Sequence, residues 1–145
     1  MRHEIRPPVW SGRVGCRVLI EASDWAKQDS LSRLLQQAGY QTATCDGPEG
    51  TNSRCPLVAH GTCDACHHSD VVIHAFRHSD PRNREVLMNL RSRFPDTPII
   101  VEVPAPRAER YPADFEGCSV ISQPMTAESL LDAIVEALDP PMIES

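Results

Sequence analysis

The sequence predicts a single α/β domain in which a five-stranded parallel sheet is covered by helices on both faces. Three observations carry that expectation. Short apolar runs alternate with amphipathic stretches along the chain. Glycine and proline punctuate the boundaries between them. The length of 145 residues suffices for one hydrophobic core and excludes two independently folded enzyme domains.

Taken in order, Arg17-Val18-Leu19-Ile20 reads as the first strand. Ser23 or Asp24 can then cap a helix that carries Leu31, Leu34 and Leu35 and stops at Gly39. Gln41 to Cys45 is the second strand and Asp70-Val71-Val72-Ile73 the third. Asp80 caps the next helix with Pro81 at its first position, where a missing N–H costs nothing, and Val86, Leu87, Leu90 and Phe94 share one face of it. Phe94-Pro95-Asp96-Thr97-Pro98 ends that helix and launches the strand Ile99-Ile100-Val101-Glu102-Val103. The fifth strand, Val120-Ile121-Ser122, leads through Gln123-Pro124-Met125 to a helix capped by Thr126, with Leu130, Leu131, Ile134, Val135 and Leu138 as its buried stripe.

Two junctions are abnormal. Pro48, Gly50, Pro56 and Gly61 break every window in residues 46–69 long enough for a helix, so a Cys/His-rich loop is expected to replace the second helix. Pro104, Pro106 and Pro112 leave at most one turn, around Arg107 to Arg110, where the fourth helix belongs. The domain is expected over residues 13–138, between a flexible N-terminus at 1–12 and a C-terminal tail at 139–145. There is no internal repeat.

This arrangement resembles a response-regulator receiver domain over about residues 16–138. The residues that carry the resemblance are the Gly39-Tyr40 helix stop, the Asp70-Val71-Val72-Ile73 strand, the Pro-Asp-Thr-Pro-Ile-Ile-Val run from Pro95, and Gln123-Pro124-Met125 before the last helix. The resemblance implies a flavodoxin-like, doubly wound sheet of order 2-1-3-4-5. In that family two acidic residues after strand one hold Mg²⁺, an aspartate after strand three accepts phosphate, and a hydroxyl and a lysine contact it. Such chemistry needs a nucleophile, a divalent ion and a fixed cation.

All five positions depart from that pattern. Ala22 and Ser23 fall at the acidic pair, Ala75 at the phosphoacceptor, Val103 at the hydroxyl and Gln123 at the lysine. Glu21 is one residue early, where strand alternation turns it to the other face. Asp70 begins its strand, at the wrong end of the sheet. His74 is at the right end and chemically able to carry phosphate, and Glu21 and Asp24 are possible cation ligands. Their ordinary readings are a half-buried histidine bonded to a loop and, for Asp24, a helix-start charge.

Residues 55–68 gather three thiols and three imidazoles within fourteen positions. Zinc takes four tetrahedral N or S ligands and Cys-x-x-Cys presents two, so Cys55, Cys63, Cys66 and His60, or His67 in its place, form a candidate site for zinc, with an iron–sulfur cluster second. A metal would also hold a long loop that lacks regular structure. A reversible disulfide, Cys63 with Cys66 or Cys55 with Cys63, is the redox alternative. The string Cys63-Asp64-Ala65-Cys66-His67 also matches the haem-attachment pattern, which belongs to exported proteins. Cys16, Cys45 and Cys118 read as core fillers, and His3 and His78 as surface residues.

Fourteen basic against twenty acidic residues give a net charge of −6, which repels phosphate backbones and argues against nucleic acid. No run is apolar enough to span a membrane and residues 1–8 hold no secretion signal, so a cytoplasmic location is expected. Gly12-x-x-Gly15 precedes the first strand, whereas a dinucleotide fingerprint follows it. The expected function is therefore that of a non-catalytic pseudo-receiver, without firm cofactor. It binds a protein partner or a second copy through the last strand and helix and the 104–112 segment. The alternative is a metal or redox sensor built on the Cys55–Cys66 loop.

Overall fold

A computed structural model describes residues 10–12, 15–50 and 55–138. Among them lie strands β1 (Arg17–Glu21), β2 (Gln41–Cys45), β3 (Val71–His74), β4 (Ile99–Val103) and β5 (Ser119–Ser122). The helices are α1 (Trp25–Gln37), α2 (Gly47–Gly50), α3 (Pro56–His60), α4 (Asp64–His67), α5 (Pro81–Arg93), α6 (Ala105–Arg110) and α7 (Ala127–Leu138), with a 3-10 turn at Pro112–Phe115. All strand pairs are parallel and the order is β2-β1-β3-β4-β5, the doubly wound topology expected. No helix among the described residues is long and apolar enough to cross a membrane.

Alternation along the strands sorts the core into two faces. Val18, Ile20, Val71, Ile73 and Ile100 pack with Leu35 of α1 and Leu130 and Ile134 of α7. Leu19, Ala43, Val72, Val101 and Val103 pack beneath Leu57, Ala65, Cys66, Leu87 and Leu90. Each fully buried aliphatic side chain contributes about 1.5–3 kcal/mol, so both faces are needed to hold the sheet.

The helix starts are capped as the residue types dictate. The Asp24 carboxylate accepts from the Ala26 N–H at 3.1 Å and that of Asp80 from the Arg82 N–H at 2.9 Å. Thr126 Oγ1 accepts from the Ser129 N–H at 3.0 Å.

Several expectations are corrected. The 46–69 segment is not helix-free: Pro56 opens α3 at a first-turn position and Gly61 ends it in the left-handed region, with φ 73°, so the breakers delimit short helices rather than abolish them. The fourth helix begins earlier than Arg107 because Pro104 is its N-cap and Pro106 lies in its first turn. Trp10–Gly12 belong with the sheet rather than with a loose terminus, since Ser11 pairs antiparallel with Thr42 through bonds of 2.8 and 2.9 Å. The rest of the two expected termini, residues 1–9 and 139–145, lies outside the described residues. Val135 and Leu138, expected in the buried stripe of α7, are exposed, and Leu131 is only partly covered.

Candidate functional site at the carboxyl ends of the strands

The parallel sheet brings the five receiver-pocket positions to one end. The Ala22 N–H donates to the Cys45 carbonyl, that of Ala75 to Glu21 and that of Gln123 to Val103, at 3.1, 2.8 and 3.0 Å. Each residue thus extends the ladder where its strand ends. Ala22 and Val103 are buried, while Gln123 is exposed and joined to Pro124 by a cis peptide bond. Gln28, buried in α1, donates through Nε2 to the Ala22 carbonyl and to Asp46, which ties the ends of β1 and β2 together. Asp70 lies at the opposite end, accepting from the Arg17 N–H at 2.8 Å.

On the same sheet face as Leu19, a polar row crosses the strand ends. Glu21 is in register with Cys45 on one side and His74 on the other. The His74 ring bonds through Nδ1 to Glu21 Oε1 at 2.7 Å, and both side chains are almost fully buried. His74 is therefore paired with a carboxylate within the sheet rather than with a neighbouring loop. Phe76 meets its ring edge to face at 5.3 Å.

The cysteines of α3 and α4 lie over this row. Cys55 is half-buried, and burial pushes its thiol up, against N–H donors from Val58 and Leu57. Cys45 faces the same group: burial and the Glu21 carboxylate hold it well above the usual thiol range, opposed by the Gly47 N–H. It packs against the core cluster of this face, the place its sequence context implied. The Cys63 and Cys66 thiols share a hydrogen bond. That bond, with the N–H groups of Cys66 and Ala65, lowers Cys63, while the same bond and burial raise Cys66.

The imidazoles do not join these thiols. His60 is exposed, and His67 bonds to Thr62 Oγ1 at 3.0 Å with its ring edge on Phe94. His68 Nδ1 donates to the Asp64 carbonyl at 2.7 Å. Among the described residues no three His, Cys, Asp or Glu side chains form a group arranged to hold a metal ion.

A second polar cluster anchors the proline-rich segment. Arg107 Nε donates to His78 Nδ1 at 2.9 Å, which leaves Nε2–H to donate to Asp114 Oδ2 at 2.9 Å. Burial lowers the His78 pKa, and the Arg107 and Arg84 charges add to that effect against the Asp114 carboxylate. The neutral ring therefore joins the β3–α5 connection to α6 and the 3-10 turn, and His78 is a buried residue rather than a surface one. On the other face Lys27 pairs with Glu102, whose second oxygen accepts the Met125 N–H at 2.9 Å.

Sheet order, strand ends and helix placement together define the receiver-type fold. Among solved structures of that fold, a response regulator receiver domain protein from Clostridium thermocellum is 20% identical, covering 86% of this chain and 94% of that one at a TM-score of 0.65. A CheY-like receiver domain protein from Methanospirillum hungatei is also 20% identical over 86% and 94%, at 0.63. A receiver protein from Sinorhizobium medicae is 16% identical over 88% and 97%, at 0.65. No protein-family model matches the sequence, and no curated protein matches it either.

Proposed function

We propose that the chain is a cytoplasmic, non-catalytic pseudo-receiver that signals by protein contact, without aspartyl phosphorylation. The observation that carries this reading is Ala75 at the end of β3, where a methyl group offers no oxygen nucleophile. Ala22 and Ser23 present one methyl and one hydroxyl where a divalent ion wants carboxylates, so these residues do not fit Mg²⁺. Val103 and Gln123 supply neither hydroxyl nor cation.

The contact surface we assign is β5, the outer face of α7 and the 104–112 segment. Val120, Val135, Leu138 and Tyr111 are exposed there, Val135 to 56%, and apolar exposure on neighbouring elements is the usual mark of a binding face. A second copy of the chain is the occupant tested first. Val135→Asp, at an exposed position where stability changes by no more than about 0.5 kcal/mol, is expected to weaken self-association at least about tenfold by burying a charge. Sedimentation velocity across a concentration series checks this. Equal association of the variant, or a wild type that stays monomeric throughout, contradicts the assignment to this face.

A second reading makes the same scaffold a metal or redox sensor on the Cys55–Cys66 loop. The adjacent Cys63 and Cys66 thiols support its redox form, whereas zinc, or an iron–sulfur cluster, on Cys55, Cys63, Cys66 and His60 or His67 requires the loop to rearrange.

A further inference from the structure

We propose that Cys63 and Cys66 form a dithiol–disulfide switch in which Cys63 reacts with a peroxide and Cys66 resolves the product. The geometry divides the labour. Cys63 is the N-cap of α4, in extended conformation with φ −152° and ψ 120°, and half-buried, so that it is reachable from solvent. Cys66 is 3% exposed and packs in the core cluster with Leu57 and Val72. Both are free thiols, one at the N-cap and the other in the first turn of the same helix. Residues three apart at a helix start lie within the roughly 4.4–6.8 Å between Cα atoms that a disulfide requires.

Electrostatics reinforces the asymmetry. The Cys66 thiol and the N–H groups of Cys66 and Ala65 favour the Cys63 thiolate, the reactive form, against burial and the Glu21 carboxylate, which oppose it. The interaction with Cys63 and burial, with the Glu21 carboxylate adding to them, push the Cys66 thiol up, and burial with Glu21 does the same to Cys45. Attack therefore begins at Cys63, with Cys66 in place as the neighbouring thiol.

The steps balance. Cys63 ionises and its thiolate sulfur attacks one oxygen of hydrogen peroxide; an S–O bond forms, the O–O bond breaks, and the leaving hydroxide takes up the proton that Cys63 released, giving water. Cys66 then attacks the sulfenic sulfur; the S–S bond forms, the S–OH bond breaks, and the hydroxyl departs with the Cys66 proton as water. Two sulfurs lose two electrons and peroxide is reduced to water. A small-molecule dithiol reverses the bond by exchange. This switch is independent of whether the strand-end pocket accepts phosphate.

The test uses the full chain, reduced with dithiothreitol, freed of metal with a chelator and desalted under argon. One to two equivalents of hydrogen peroxide at neutral pH should make the intact protein two hydrogens lighter, with two thiols no longer open to iodoacetamide. Peptide mapping should join Cys63 to Cys66, and dithiothreitol should restore both. Cys66→Ser should stop at a Cys63 sulfenic acid that dimedone traps, and Cys63→Ser should slow thiol loss about tenfold or more. Six thiols that survive peroxide, or a map joining other cysteines, would each overturn the proposal. The wild-type peptide map decides this even if a variant fails to fold.

Discussion

Replacing His74 by alanine is expected to destabilise the fold by about 3–5 kcal/mol, the effect of removing one partner from a buried pair. His74 and Glu21 are almost fully buried and bonded at 2.7 Å in adjacent strands. Loss of the ring strands the Glu21 carboxylate in the core and leaves a cavity beside Phe76. Replacing both partners with apolar residues of similar volume, Glu21→Met with His74→Leu, should recover most of that loss, because no unpaired polar group is then left buried. Urea unfolding of the single and double variants checks both, and equal losses in the two would show that packing rather than the pair sets the stability.

Gly47→Ala is expected to cost nearly as much, for a different reason. Gly47 has φ 70°, a left-handed backbone that side chains strain to adopt, and an added Cβ would lie 2.4 Å from Phe76 Cζ. Phe76 is a core residue of the face that holds Leu19 and Leu57, so the ring has little room to retreat. Strain and overpacking together come to roughly 2–5 kcal/mol. Because the Gly47 N–H also supports Cys45, the variant should expose thiols faster to iodoacetamide. A melting temperature within experimental error of the wild type would contradict the close approach.

The five strands, the order of helices and three aspartate or threonine caps were legible in the sequence because each rests on local signals: β-branched runs, a cap residue and a stop. The short helices α2 to α4 were not. Proline and glycine break long helices, yet the same residues start and end short ones, and composition alone does not distinguish the two. The stripe on α7 was legible as a period but not as a buried sector, since Val135 and Leu138 point beyond the part of the sheet that α7 covers.

Within the site, the strand-end positions Ala22, Ala75, Val103 and Gln123 could be placed from helix stops and strand lengths. The Cys45–Glu21–His74 row could not be read residue by residue, because it exists only once the strands are in register. The signal was present in the alternation: Glu21 shares its parity with Leu19 and Cys45 with Ala43, which turns both toward the cysteine segment. His78 was missed because its partners Arg107 and Asp114 lie some thirty residues away, in a segment whose prolines suggested only irregular chain.

The most direct test of the central claim, a receiver fold that works without aspartyl phosphorylation, is the intact mass of the full chain after incubation with acetyl phosphate and Mg²⁺. The mass is expected to stay unchanged. A stable gain of one phosphate, above all one mapped to His74 or to a carboxylate at the strand ends, would contradict it.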